Sequence, residues 1–438
     1  MKGPGSTDLL VLGFTLASFL FFSYQFLETS GPQRWRRRSR RARDPLKIFV
    51  MVGQSNMEGH GYMDRIEDGK FLNGTLEWMV ETDPDTYGKL KTETDDWKER
   101  TDVWIAYNRQ NLPNVRPEMN SVGPLAAGYG GSEGGQGHEI GPELGFGWTV
   151  GDELGSSSSS PPDRRGGNSK RNGKHNKHKK HEYGNDDDGD GDDEADVDIF
   201  LIKVAWGGRS LAVNYRPPSS GGETGLYYEA MLADVYRTIV HLPEMVPGYT
   251  FDRGYSIEGF AWHQGWNDGC DKNMTAEYES NLANLIRDVR TDLGVPDLPF
   301  VVGVSGMSGW YPRDPKRTEI ATAQLAVADA SRYPEFAGTV ASVETRDFFR
   351  EPKPVSPGDQ GYHWNNNCES YWLIGQAMGK AMVGLVRRKN DDHKVPTTAT
   401  TTRRRRSTTT PSDDREDDRV GWVETMLRGM DVFDTTMD

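Results

Sequence analysis

Short unbroken apolar runs recur along the chain, each ending at glycine or a polar cluster. They alternate with longer segments in which apolar residues fall at helical spacing. The runs at Ile48–Val52, Asp198–Ala205, Ile257–Trp262, Pro299–Val304 and Thr339–Val343 predict strands, and Ile48–Val52, β-branched or bulky throughout, reads as a central strand buried on both faces. Between the third and fourth, Tyr278, Leu282, Leu285, Ile286, Val289 and Leu293 repeat along Thr275–Leu293 with charges on the opposite face, which predicts an amphipathic helix. Arg317–Ser331, Ser370–Val386 and the shorter Glu143–Leu154 read the same way. This β–α alternation predicts a parallel sheet with helices on both faces.

Composition trims the part of the chain that can pack. Residues 1–45 hold an uncharged stretch, Leu9–Leu27, then the basic run Arg34–Arg43. The stretch is long enough to span a membrane as a helix, or to serve as a signal segment. Residues 156–197 are low-complexity, and residues 391–438 form a Thr/Arg/Asp-rich tail with a short amphipathic end. The remainder, 46–390 without the insert, is roughly 300 residues, enough for one large α/β domain. The net charge of −14 collects largely in Asp186–Asp198, so it describes a solvated insert and gives no reason to expect nucleic acid as a partner. Within the insert, His175, His178 and His181 lie among Lys and Arg, and the calcium-loop-like Asp186, Asp188, Asp190 and Gly191 run ends on Val197 where a Glu is required. Neither is expected to hold a metal.

Compartment signals conflict. A basic run after an apolar span favours a cytosolic domain. Two glycosylation triplets, Asn73-Gly-Thr75 and Asn273-Met-Thr275, favour the secretory lumen or the exterior. So does the expectation that the two cysteines of the chain, Cys270 and Cys368, join as a loop-to-loop disulfide. A membrane-anchored or secreted protein, attached through residues 9–27, is the reading adopted.

The candidate chemistry lies where strands end. The first run stops at Gly53 and delivers Gln54, Ser55 and Asn56. A helix starting at about Asn56 or Met57 would aim free amides back at the serine. After the second strand comes Lys203-Val-Ala-Trp-Gly-Gly-Arg209, where Gly208 is a candidate backbone donor. After the third comes His263-Gln-Gly-Trp-Asn-Asp268, offering the Asn267 amide; His363 precedes the last helix. A serine nucleophile, two oxyanion donors and a histidine base can be assembled from these blocks.

In this order the blocks resemble those of the SGNH hydrolases, and within them the sialate O-acetylesterase-like carbohydrate esterases with their acetylxylan esterase branch. Gly53-Gln-Ser-Asn-Met57, Gly207-Gly208, Gly265-Trp-Asn-Asp268 and His363 carry the likeness, with Ile140-Gly-Pro-Glu-Leu-Gly-Phe-Gly147 and Leu373-Ile-Gly-Gln-Ala-Met-Gly379 in support. The resemblance implies a three-layer α/β/α hydrolase of flavodoxin-like design and a serine esterase with no metal or cofactor. Its substrate would be an acetylated carbohydrate. Catalysis would use Ser55 and His363, with the oxyanion held by the Ser55 and Gly208 amides and the Asn267 side chain.

The sequence departs from the family at the acid. The family places Asp three residues before the histidine; here that position is Gln360, with Asp359 one further back. Asp359 is the first candidate to fix the His363 tautomer, and Asp268 and Asp347 are alternatives. Gln54, Arg209, Gln264, Trp266 and Trp364 are expected to bind substrate. Trp206, Tyr215 and Trp310 are further aromatics close in sequence to the candidate site. Two other readings share these features: a catalytically inert glycan-binding module on the same fold, and an esterase or thioesterase for lipid-like acyl groups.

Overall fold

In the computed structural model the first apolar run becomes β1, Leu46–Gly53, buried along almost its whole length. Side chains alternate along a strand, so Ile48, Val50 and Val52 enter one hydrophobic core while Phe49 and Met51 enter another on the opposite face. Residues 43–64, 73–108, 121–131, 138–155, 196–311 and 314–394 are described. The apolar stretch 9–27, most of the basic run, the His/Lys and Asp-rich insert through 195 and the tail beyond 394 lie outside them. Among the described residues no helix is long and apolar enough to cross a membrane. The chain divides into two units after Asn390, and of the second only residues 391–394 are described.

The other strands are β2 (Gly61–Tyr62), β3 (Arg100–Asn108), β4 (Ser121–Leu125), β5 (Glu139–Ile140), β6 (Ile199–Ala205), β7 (Tyr255–His263), β8 (Phe300–Gly303) and β9 (Val340–Val343). Seven form one sheet in the order β4-β3-β6-β1-β7-β8-β9, and β2 pairs with β5 separately. All pairings in the large sheet are parallel except β3 with β4. The five expected strands are present. The missed ones, β3 and β4, lack unbroken apolar runs: β3 opens on Arg100 and Asp102, paired at 2.7 Å, and β4 contains Gly123 and Pro124. Proline is tolerated in β4 because it is an edge strand.

The principal helices are α1 (Ser55–Glu58), α2 (Pro142–Leu154), α3 (Leu226–Val240), α4 (Lys272–Asp292), α5 (Pro315–Ala326) and α6 (Cys368–Lys394). Helices α3, α4 and α5 pack into the core of Ile48 and Val50, while α2 and α6 pack into that of Phe49 and Met51. The result is the expected three-layer α/β/α architecture. Helix α3 was missed although Tyr228, Met231, Val235 and Ile239 mark its buried face.

One charged pair interrupts the second core. Lys203 on β6 meets Glu143 at the start of α2 at 2.7 Å, both side chains fully buried. The ammonium also donates to the Glu58 carbonyl at 2.7 Å and the Tyr129 carbonyl at 2.8 Å, and sits 4.1 Å from the centre of the Tyr107 ring. The other Glu143 oxygen accepts the Gly141 amide. Breaking such a pair strands a buried charge. Glu143→Gln and Lys203→Met are each expected to lower unfolding free energy by about 3–5 kcal/mol in urea titrations. Midpoints equal to the parent's would show that the pair does not hold the fold.

Candidate active site

The sheet reverses its winding around β1, so β6 and β7 flank it and a crevice opens at their carboxyl ends. Gly53 is in register with Ala205 on one side and His263 on the other. The residues that follow therefore leave from one edge: Gln54-Ser55, Trp206-Gly207-Gly208 and Gln264-Gly265-Trp266-Asn267. No side chain fits at Gly53, where a Cβ would collide with the His263 carbonyl. The Gly53 carbonyl accepts the Tyr215 hydroxyl at 2.7 Å and the Trp206 amide at 3.2 Å, which locks the turn.

A cavity of about 350 Å³ lies over this edge, lined by Gln54, Ser55, Glu58, His60, Gly207, Gly208, Trp266, Asn267, Tyr362 and His363. Ser55, Gly208, Asn267 and His363 are thus brought to one cavity. Ser55 is the first residue of α1, one position earlier than expected, with Gln54 at the N-cap. Gln54 turns inward: its side-chain oxygen accepts the Gly265 amide at 3.3 Å and the Asn267 amide at 3.4 Å, tying the β7 loop to the serine turn. Gly208 has φ +69°, the left-handed region that suits glycine, and nothing stands where a Cβ would project. The Asn267 amide donates one hydrogen to the Gly208 carbonyl at 2.6 Å, which fixes both groups and leaves its second N–H.

His363 precedes three successive non-glycine residues with positive φ: Trp364, Asn365 and Asn366. Asparagine tolerates this region best after glycine. The Asn365 side chain donates to the Arg350 carbonyl at 2.9 Å, and that of Asn366 donates to the His60 carbonyl at 3.0 Å. Asn56, next to the serine, reaches across the site. Its amide nitrogen donates to the Tyr362 carbonyl and its oxygen accepts the Tyr371 hydroxyl, each at 3.0 Å. The serine and histidine loops are thereby cross-linked.

Glu58 and His60 enlarge the expected constellation. Glu58 accepts the Gly207 amide at 2.6 Å, which steadies the glycine loop. His60 lies between carboxylates, with Nε2 3.6 Å from Glu58 and Nδ1 3.4 Å from Glu139, and its ring stacks on His363 with centroids 4.1 Å apart. Burial disfavours the His60 imidazolium, but Glu139 and Glu58 outweigh it and raise the pKa to about 9. Burial first, and then the charge of His60, lowers His363 to about 3. Both residues lie within five positions of Ser55, in Glu58-Gly-His60, a carboxylate and an imidazole close in sequence to the candidate nucleophile.

Several expectations need correction. Asp359 is exposed, and among the described residues no carboxylate bonds to the His363 ring. Asp268 is fully buried and accepts the Leu211 and Ala212 amides at 2.9 and 2.8 Å and the Gln264 side chain at 2.6 Å; it clamps the β6 loop. Burial raises its pKa to about 6 against those donors. Asp347 accepts the Trp310 indole. Gln264 is spent on Asp268, the Arg209 carbonyl and Tyr278, and Trp364 is wholly buried, so neither can touch substrate. Trp206 and Tyr215 are core residues too. Arg209 stacks on Tyr227, its guanidinium 4.5 Å from the ring centre. Of the aromatics, Trp266 and Tyr362 line the cavity.

Cys270 and Cys368 are free thiols, not a disulfide. Cys368 is buried and donates to the Tyr62 carbonyl, whereas Cys270 is exposed beside Trp266 and Arg317. Helix α6 turns the first thiol into the core, so adjacency to two site blocks did not bring the sulfurs together.

Residues 190–346 match the family described as carbohydrate esterase, sialic acid-specific acetylesterase. Over that stretch the chain is similar to the sialate O-acetylesterase-like carbohydrate esterases. The match supports a carboxylic ester hydrolase of the carbohydrate-esterase kind. The matched stretch contains Gly208 and Asn267 and leaves Ser55 and His363 outside. No protein of curated function matches the esterase in sequence. Among solved structures it is similar to an Arabidopsis thaliana protein, with 15% identity over 77% of this chain and 98% of that one at a TM-score of 0.42. It is also similar to a carbohydrate acetylesterase from Xanthomonas citri, with 11% identity over 78% and 57% of the two chains at 0.40. For NanS the figures are 12% identity, 80% and 99% coverage, and a TM-score of 0.41.

Asp268→Asn in the esterase sets an amide NH₂ against donors that now meet a carboxylate oxygen. The expected outcome is a loss of about 1–3 kcal/mol of stability together with lower kcat from a displaced Gly208. Urea denaturation alongside acetate-release assays tests this, and a variant with parental stability would refute the clamp.

Proposed function

We propose that this esterase removes O-acetyl groups from carbohydrates of the sialate or xylan-like kind through an acetyl-enzyme on Ser55. The observation that carries the reading is the convergence of Ser55, His363, Gly208 and Asn267 on one cavity from three adjacent strand ends and the loop before α6. His363 takes the Ser55 proton as the hydroxyl attacks the acetyl carbonyl. The tetrahedral oxyanion is met by the Ser55 and Gly208 amides and the remaining Asn267 N–H, each donor contributing about 3 kcal/mol in the transition state. Collapse expels the sugar alkoxide, which receives the proton from His363. Water, deprotonated by the same histidine, then releases acetate and restores the serine.

The cavity suits a short acyl group. Its walls combine a few polar side chains and backbone groups with apolar ring surface, and Trp266 and Tyr362, with centroids 5.7 Å apart, offer that surface to a sugar. Attachment through residues 9–27 and a place in the secretory lumen or outside the cell remain part of the proposal. It now rests without support from a disulfide.

Ser55→Ala and His363→Ala are each expected to reduce acetate release from acetylated glycans by about four orders of magnitude, with an unchanged circular dichroism spectrum. The double variant should be scarcely worse, because residues acting as one unit are not additive. Rapid quenching of the parent should leave one acetyl group on the peptide containing Ser55. A Ser55→Ala enzyme retaining a tenth of parental activity would end the acyl-serine mechanism.

A further inference from the structure

His60 belongs to no block that carried the family likeness, yet it is the side chain most intimately placed on the candidate base. Its ring stacks on His363 at 4.1 Å with an interplanar angle of 23°, close enough to fix the plane of the second imidazole. Tyr362 abuts the His363 ring edge-on at 4.5 Å. The role of orienting the base, ordinarily given to a hydrogen-bonded acid, thus falls to ring packing among the described residues.

The position of His60 is itself over-determined. Glu139 on β5 stands 3.4 Å from Nδ1, and Glu58 on α1 stands 3.6 Å from Nε2, an ion-pair distance without a hydrogen bond. Its backbone carbonyl is held by Asn366, three residues beyond His363. Glu58 is anchored in turn by the Gly207 amide, and its carbonyl by Lys203, which pairs with Glu143. The remaining titratable groups packed around the two rings are Tyr62 on β2, Tyr362, and Tyr371 and Cys368 on α6. Tyr62, Tyr371 and Cys368 are pushed upward by burial, then by Glu139 among other groups, and so stay neutral. Two carboxylates therefore face one imidazole directly, and the second imidazole faces the first.

We propose that His60 is a positioning residue for the general base: clamped as an imidazolium between Glu58 and Glu139, it holds the stacked His363 ring in place and unprotonated. The proposal rests on the assignment of His363 as base. Two stacked imidazoles titrate as a coupled pair, and the ring flanked by carboxylates takes the first proton. His363 then stays free to accept the Ser55 proton in acidic surroundings where an ordinary histidine would already be charged. The cost is a weaker base.

The test is the pH dependence of kcat/KM in the full-length parent, His60→Phe and His60→Gln. Phenylalanine keeps the stack and removes the charge; glutamine keeps a donor for the carboxylates and removes the ring. The parent should lose no activity on acidification from pH 8 to about 5, because His363 is held near 3. In His60→Phe the acid limb should move up from about 3 but stay below the ordinary histidine value of about 6.5, because burial, the larger cause of the lowering, remains. His60→Gln should lose roughly tenfold or more in kcat at every pH, because the base is no longer held in plane. A parental limb between pH 6 and 7, or a His60→Phe limb that does not move, overturns the proposal. In full-length Ser55→Ala, the His363 ring can be titrated directly by long-range ¹H–¹⁵N spectra with and without His60→Phe. That reading needs no turnover, so it separates failure of the stack from failure of the mechanism, which persistent activity in His363→Ala would reveal.

Discussion

The buried ammonium of Lys203 is the point on which the site depends. It leaves β6 in the middle of an apolar core and holds three partners: the Glu143 carboxylate, the Tyr129 carbonyl and the carbonyl of Glu58 at the end of the serine helix. Desolvating a lysine costs several kcal/mol unless every donor is used. Here all three ammonium hydrogens have an acceptor. A four-residue helix such as α1 has too few internal hydrogen bonds to stand by itself. Lys203 gives it an external anchor, and with it the position of Ser55.

From that anchor the polar contacts spread in a way that makes individual residues hard to replace. Gln54 ties the serine turn to the β7 loop, Asn56 ties it to the histidine loop, and Glu58 ties it to the glycine loop. Alternate residues after β1 thus each hold a different wall of the cavity. The strained run Trp364–Asn366 persists because both asparagine side chains are hydrogen-bonded to neighbouring backbone and Trp364 is packed in the core, a pattern common where a fold stores strain at a functional site. The electrostatics follow the same layout, with two carboxylates around His60 and a second imidazole beside it.

Polar residues near a site in sequence divide between those that face the ligand and those that hold the walls, and a one-dimensional pattern does not separate them. Gln264 and Asp268 look like substrate-binding or catalytic groups, yet together they receive or supply hydrogen bonds that close the β6 loop over β7. Trp206 and Trp364 look like sugar platforms and are core. Trp266 differs from them only in what packs around it, with Arg317 3.5 Å over its ring and Tyr362 at its side.

The sequence by itself determined the layers of this protein and the ends of its central strands. Alternating burial on both faces leaves continuous apolar runs at β1, β6, β7, β8 and β9, and helical periodicity marks α4, α5 and α6. Those signals are local, set by backbone geometry and the removal of apolar surface from water. Strands β3 and β4 escaped because edge position and a charged start dilute the same signal. Only the tertiary structure decided that the two cysteines stay apart, that Asp359 stands in solvent, and that His60 rather than an aspartate lies against His363. Those outcomes depend on distances between loops far apart in the chain. Burial and competing hydrogen bonds, which no spacing of residues encodes, choose among chemically equivalent carboxylates.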